Sequence, residues 1–213
     1  MRGDGGGGFA GADTGAGVGF EDLFGDLFGA GGAPGRVAGA DQEAELRLTV
    51  EEAYRGGRRG VTLASPAGQR TYQVDIPRGV TDGQRIRLAG EGGRGSGGAA
   101  AGDLYLRVRI EPHPVFRLDG RDVHVRLPVA PWEAALGATV PVPTPGGTAK
   151  VTVPAGSSSG RRLRLRGEGI PGPRGAAGDL YAEVRIMVPP RLTDRERQLY
   201  EDLAAASSFD PRR

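Results

Sequence analysis

IPRGVTDGQRIRLAGEG, Ile76 to Gly92, lies over VPAGSSSGRRLRLRGEG, Val153 to Gly169, with nine of seventeen positions identical at an offset of 77 residues. GDLYLRVRI from Gly102 then lies over GDLYAEVRI from Gly178, seven of nine identical at an offset of 76. Glycines fall in register through both copies: Gly79 with Gly156, Gly83 with Gly160, Gly90 with Gly167 and Gly102 with Gly178. Upstream the match loosens to Leu48-x-Val50 with Leu127-x-Val129, Glu52-Ala53 with Glu133-Ala134, and Val61 to Leu63 with Val140 to Val142. A period near 77 is too long for a solenoid unit. It predicts two related domains in tandem.

The local pattern makes those domains β. Leu46, Leu48 and Val50 alternate with Arg47 and Thr49, Val61 with Leu63, and Leu104, Leu106, Val108 and Ile110 with Tyr105, Arg107 and Arg109, the period of two of half-buried strands. Residues 51 to 55 and 131 to 136 suit short helical turns. Pro112 and Pro114 end a strand and stiffen the joint between the copies. After Pro189-Pro190, Thr193 and Glu196 form a capping-box pattern, and Leu199, Leu203 and Ala206 share one face of a helix. That face packs on its own domain or on a second chain; spacing does not choose. The expected fold is therefore mainly β: two tandem homologous β-sandwich-like domains, 41–112 and 113–190, then a C-terminal helix and tail, 191–213.

Residues 1–40 differ in kind. They hold 15 of the 39 glycines and four of the six phenylalanines, as expected of a flexible Gly/Phe-rich linker. Within it, Asp-Leu-Phe-Gly occurs twice in succession, and a four-residue spacing would place Leu23 with Leu27 and Phe24 with Phe28 on one side of a short helix. These four are candidate residues for docking the linker on a partner.

Composition excludes several chemistries. With no cysteine there is no disulfide scaffold, thiol nucleophile or Cys-ligated metal, and two histidines are too few to suggest a metal cluster. No apolar run approaches the ~18 residues of a membrane span, and the start lacks the apolar core of a signal peptide, so a cytoplasmic protein is expected. Residues 1–40 are net −3, leaving +5 on the remainder. Lys150 is the only lysine, and the arginines alternate with apolar residues, which reads as solvated strand faces rather than a nucleic-acid surface. Gly90-x-Gly92-x-x-Gly95 and Gly167-x-Gly169-x-x-Gly172 fit a dinucleotide-loop pattern, but each leads toward another strand instead of opening a helix, so they read as turns. Carboxylates recurring in register, Glu91 with Glu168 and Asp103 with Asp179, suit turn roles shared by both copies. Binding is expected rather than catalysis, with no cofactor.

The order of the Phe-bearing linker, Leu48 to Gly57, IPRGVTDGQRIRLAGEG, GDLYLRVRI, HPVFRLDGRDV, PWEAALGATVPVPT and the capped helix resembles the C-terminal part of DnaJ-family co-chaperones. It is similar to the type without a zinc-binding insertion, which includes curved-DNA-binding DnaJ-like proteins. The resemblance implies substrate-binding domains that hold unfolded polypeptide clients and deliver them to a DnaK-type ATPase chaperone, working as a homodimer joined at the C-terminal end. It implies a peptide groove carrying Leu46, Leu48, Val61 and Leu63, with Phe116 at its edge, and Leu199 and Leu203 in dimerisation. For each of these residues taken singly, core packing is the ordinary role. Arg59 would favour an acidic peptide tail. DNA binding is the alternative function. His113-Pro114 is followed by Val115 and is not the His-Pro-Asp of a J-domain, so this chain is expected to hold clients and dimerise without stimulating the partner ATPase.

Overall fold

The computed structural model describes residues 35–65, 68–172 and 175–212. The docking candidates Leu23, Phe24, Leu27 and Phe28 lie outside the described residues. Two copies of one β unit follow each other, as the repeat predicts. In the first, β1 (Gln42–Leu48), β5 (Leu104–Ile110) and β4 (Arg85–Leu88) form a sheet in the order β1-β5-β4. β1 runs parallel to β5 and β4 antiparallel to it. β2 (Gly57–Ser65) and β3 (Gly68–Ile76) form an antiparallel hairpin. The buried residues of hairpin and sheet meet in one core: Val74 and Ile76 join Leu46, Leu48, Leu106 and Val108. Period-two alternation is visible throughout, buried at Leu104, Leu106 and Val108 and outward at Tyr105, Arg107 and Arg109.

The second unit repeats this arrangement. β7 (Asp122–Val129) runs parallel to β11 (Leu180–Ile186), with β10 (Arg162–Leu165) antiparallel on the far side, while β8 (Ala138–Thr144) and β9 (Gly147–Val153) form the hairpin. One strand is added: β6 (Phe116–Asp119) pairs antiparallel with the outer edge of β7, giving the order β10-β11-β7-β6.

Short helices occupy matching places. α1 (Val50–Arg55) starts at Thr49, whose Oγ1 accepts from Glu52 N–H at 3.2 Å while the Glu52 carboxylate accepts from Thr49 N–H at 2.9 Å. α2 (Pro131–Leu136) keeps half of that device, Ala130 N–H donating to the Glu133 carboxylate at 2.7 Å. α3 (Asp194–Ala206) carries the predicted capping box of Thr193 and Glu196.

The repeated carboxylates lock equivalent turns. Asp103 accepts from Gly90 N–H at 2.9 Å and pairs with Arg87 at 2.6 Å, and its own N–H donates to Asp41 at 2.7 Å. Asp179 accepts from Gly167 N–H at 2.9 Å and from Arg164 Nε at 2.6 Å, and its N–H donates to Asp122 at 2.8 Å. Gly90 and Gly167 sit at φ 71° and 75°, where a side chain is strained. The first glycine of each dinucleotide-like pattern is thus a turn residue.

The units touch through specific groups. Val50 of α1 is buried in the second unit's core, with Tyr54 and Ile110 packed against it. Arg121 of the β6–β7 turn donates to Gly79 O at 2.9 Å and also to Pro171 O. In the joint, His113 Nδ1 accepts from Val115 and Phe116 N–H, both at 3.1 Å, its Nε2 lies 3.2 Å from a Glu51 carboxylate oxygen, and its ring stacks on Phe116.

Candidate binding surfaces

Among the described residues two features of the fold are unfinished: a strand edge of the first unit that pairs with no other strand, and a face of the second on which most arginines have no carboxylate partner.

The open edge belongs to β1. Gln42 N–H bonds Asp103 O and Leu48 O accepts from Glu111 N–H, so the even-numbered residues of β1 direct their peptide groups to β5. Alternation then turns those of Glu43, Glu45 and Arg47 to the other side. There Arg47 O accepts from Arg59 Nη1 at 2.9 Å, and the same Arg59 nitrogen reaches the Glu52 carboxylate at 3.0 Å. Arg59 thus closes one end of this edge. In the second unit the corresponding edge of β7 is filled. Pairing of Glu43 with Tyr105 and of His124 with Tyr181 sets the equivalence of β1 and β7. β6 then places Phe116 opposite Val125 and Leu118 opposite Val123, where β1 offers Ala44 and Gln42.

The residues expected in a peptide groove divide accordingly. Leu46 and Leu48 are 2% and 0% exposed, within the first core. Phe116 is 8% exposed in the second core, as part of β6, rather than at the rim of a groove in the first unit. All three pack in the cores of the two units. Val61 and Leu63 are half-buried on β2, packed against the first core with Ala44 and Tyr72, and remain open to contact. Ala44 and the peptide groups of Glu43 and Glu45 escaped sequence reasoning; only strand order reveals that this edge is unpaired.

The basic face is the outer side of the second sheet. Arg164, Tyr181, His124 and Arg117 stand in one row across its four strands, and Arg162, Glu183 and Arg126 in the next. The rings of His124 and Tyr181 stack with centroids 5.3 Å apart, and a groove runs along the face past Arg117, Arg126 and Arg162. Alternation with apolar residues was the reason to read these arginines as dispersed. On a sheet the same alternation gathers them on one side.

At the C-terminal end, α3 has no buried residue. Leu199 and Leu203 are 49% and 62% exposed and line an apolar groove with Tyr200 and, from α2, Trp132 and Leu136. The Tyr200 hydroxyl is buried without a hydrogen-bond partner among the described residues. Leu199 and Leu203 thus face their own unit's α2 across a groove that stays open.

Carboxylate electrostatics follow the turns. Asp103 and Asp179 are held below the ordinary aspartate range, chiefly by the N–H groups of Gly90 and Gly167, with Arg87 and Arg164 adding to the effect. Among the described residues, no group of His, Cys, Asp and Glu is arranged to hold a metal ion, and no helix is long and apolar enough to cross a membrane.

Comparison with known proteins agrees with the duplicated architecture. The family model for the DnaJ C terminal domain matches residues 42–189. A protein of Coxiella burnetii (strain RSA 493 / Nine Mile phase I) named "Curved DNA-binding protein" is 43% identical over 212 residues, covering 92% of this chain and 67% of the relative. Relatives of the same name in Serratia proteamaculans (strain 568) and Pseudomonas putida (strain W619) are 43% and 42% identical, covering 91% and 99% of this chain and 68% and 71% of theirs. With the family model spanning both β units and these relatives aligned over nearly the whole sequence, the chain belongs to the DnaJ C-terminal domain family.

Proposed function

We propose that this chain binds unfolded polypeptides, as one strand added antiparallel to the open edge of β1, and holds them for delivery to a DnaK-type ATPase chaperone. The observation that carries this reading is internal to the molecule: β6 already does to β7 what a client would do to β1. Main-chain hydrogen bonds at an exposed edge supply affinity for any extended segment, and pockets for alternate side chains supply preference. By the β6 register, client side chains two apart lie over Ala44 and Gln42, beside the half-buried Val61 and Leu63. The activity is binding rather than catalysis. Two copies joined across the open α2–α3 groove, through Leu199, Leu203 and Trp132, would present two such edges, and the unpartnered Tyr200 hydroxyl supports a second surface there.

The test is suppression of aggregation of a chemically denatured client. The native chain should suppress it and Leu63→Glu should not, with circular dichroism and the unfolding midpoint close to native. A folded Leu63→Glu chain with full holding activity would refute the site.

Nucleic-acid binding is a second reading, favoured by the arginine face of the second sheet and carried in the names of the relatives. Retention of duplex DNA at low salt, lost steeply as salt rises, would support it.

A further inference from the structure

We infer that the outer face of the second sheet, and not the equivalent face of the first, holds the phosphate backbone of a nucleic acid. This rests on the second reading above and gives it a place on the molecule.

The duplication supplies an internal control. The face of β1-β5-β4 carries five arginines, and four are neutralised: Arg47 pairs with Glu45, Arg85 with Glu43, Arg87 with Asp103 and Arg109 with Asp82, at 2.6 to 3.4 Å. The face of β10-β11-β7-β6 also carries five, Arg117, Arg126, Arg162, Arg164 and Arg185. Here only Arg164 has a carboxylate partner among the described residues, Asp179. The difference lies in a few positions. Glu43 and Glu45 of β1 correspond to His124 and Arg126 of β7, and the added β6 contributes Arg117. Glu183 is the one acidic side chain in these two rows, in register with Arg162 and Arg126, and Asp119 and Asp122 follow in the next row of the same face; among the described residues none of the three forms an ion pair with Arg117, Arg126, Arg162 or Arg185. Four guanidinium groups on one exposed face therefore have no carboxylate partner among the described residues.

Their layout suits phosphates. Strands about 4.8 Å apart and alternate residues about 6.7 Å apart spread the charges in two dimensions, so that Arg117 and Arg164 at opposite ends of one row stand roughly 14 Å apart. Guanidinium forks match phosphate oxygens. The half-buried His124–Tyr181 stack lies in the same row, among the arginines, and supplies aromatic surface beside the charges. An acidic polypeptide would be better served by a free strand edge or by apolar pockets. The groove on this face is bordered mainly by charged and polar groups.

The experiment uses the full chain and a fluorescein-labelled 30-base-pair duplex of mixed sequence, followed by anisotropy between 50 and 200 mM NaCl. Four phosphate contacts give a log–log salt slope of about −3.6, or about 150-fold weaker binding across that range. The quadruple variant R117Q/R126Q/R162Q/R185Q should bind at least tenfold more weakly at 50 mM with a nearly flat slope. The charge-matched variant R85Q/R87Q/R107Q/R109Q should stay within threefold of native. Both should still suppress client aggregation. Equal losses in the two variants would mean that net charge alone drives binding and would overturn the proposal, as would native affinity in the first variant, which leaves the second reading standing without this face. No binding at 50 mM by the native chain removes both. Displacement of the duplex by polyglutamate at equal charge concentration would assign the face to an acidic polypeptide and overturn the proposal too.

Discussion

Replacing Glu45 with proline removes one N–H from the open side of β1 and leaves the β1–β5 ladder intact, because the odd-numbered residues of β1 direct their peptide groups away from β5. Edge strands accept proline where the lost N–H faces solvent. The molecule already contains the precedent: Pro128 of β7 stands opposite Arg185 as Arg47 of β1 stands opposite Arg109, in a strand that pairs normally with β11. Folding stability should therefore change little. Client binding should change more, since a strand added to β1 donates and accepts at Glu43 and Glu45. One lost hydrogen bond, net, is worth about 0.5–1.5 kcal/mol, which is roughly a 2- to 13-fold rise in Kd. Glu45→Ala is the control, because it removes the same carboxylate and its pairing with Arg47 while keeping the N–H. The assay is anisotropy of a labelled, permanently unfolded peptide titrated with each variant, alongside thermal unfolding. A folded Glu45→Pro chain that binds the peptide as tightly as Glu45→Ala would refute strand addition at this edge.

Three further outcomes follow from the same geometry. Leu48→Ala empties a site with 0% exposure and should lower unfolding free energy by about 2–5 kcal/mol, read from denaturant midpoints, so this residue reports on folding and not on client contact. Asp103 and Asp179 have lowered pKa values when folded, so their contribution is complete above the ordinary aspartate pKa of about 3.9 and is lost as pH falls through the lower folded values. Asp103→Asn/Asp179→Asn should accordingly reduce stability at pH 7 and flatten its fall on acidification, measured by urea unfolding from pH 6 to pH 2. The dimer proposed across the α2–α3 groove predicts that the native chain sediments as a dimer and Leu199→Glu/Leu203→Glu as a monomer in sedimentation velocity, with the fold of each chain retained because both side chains are largely exposed within one chain.

The duplication and the β character were legible because they depend on local pattern. Nine identities in IPRGVTDGQRIRLAGEG, glycines in register and period-two alternation each report on a residue's immediate neighbours, and each reappears in the strands and turns. Burial along β1 was legible too, as the alternation of Leu46 and Leu48 with Arg47. Which edge of β1 stays unpaired was not, because nothing local distinguishes β1 from β7. The distinction comes from Phe116 to Asp119 folding back as β6, a pairing set by the chain path through His113 and Pro114. Phe116 sits in β6 and the second core for that reason. The basic face was hidden by a related cause: one strand shows alternating arginines, and only the parallel register of β7 with β11 brings those of four strands into common rows. The role of Arg59 depended on a carbonyl twelve residues away, Arg47 O, which no spacing rule points to.

The proposed binding mode adds a client to the molecule as a strand on β1. Amide hydrogen exchange, resolved by residue with and without a bound unfolded peptide, tests it most directly. Strand addition there gives new protection at the Glu43 and Glu45 amides, with those of Gln42 and Leu46 unchanged because they already face β5. Protection absent from Glu43 and Glu45 on peptide binding, and appearing instead on another strand, would contradict it.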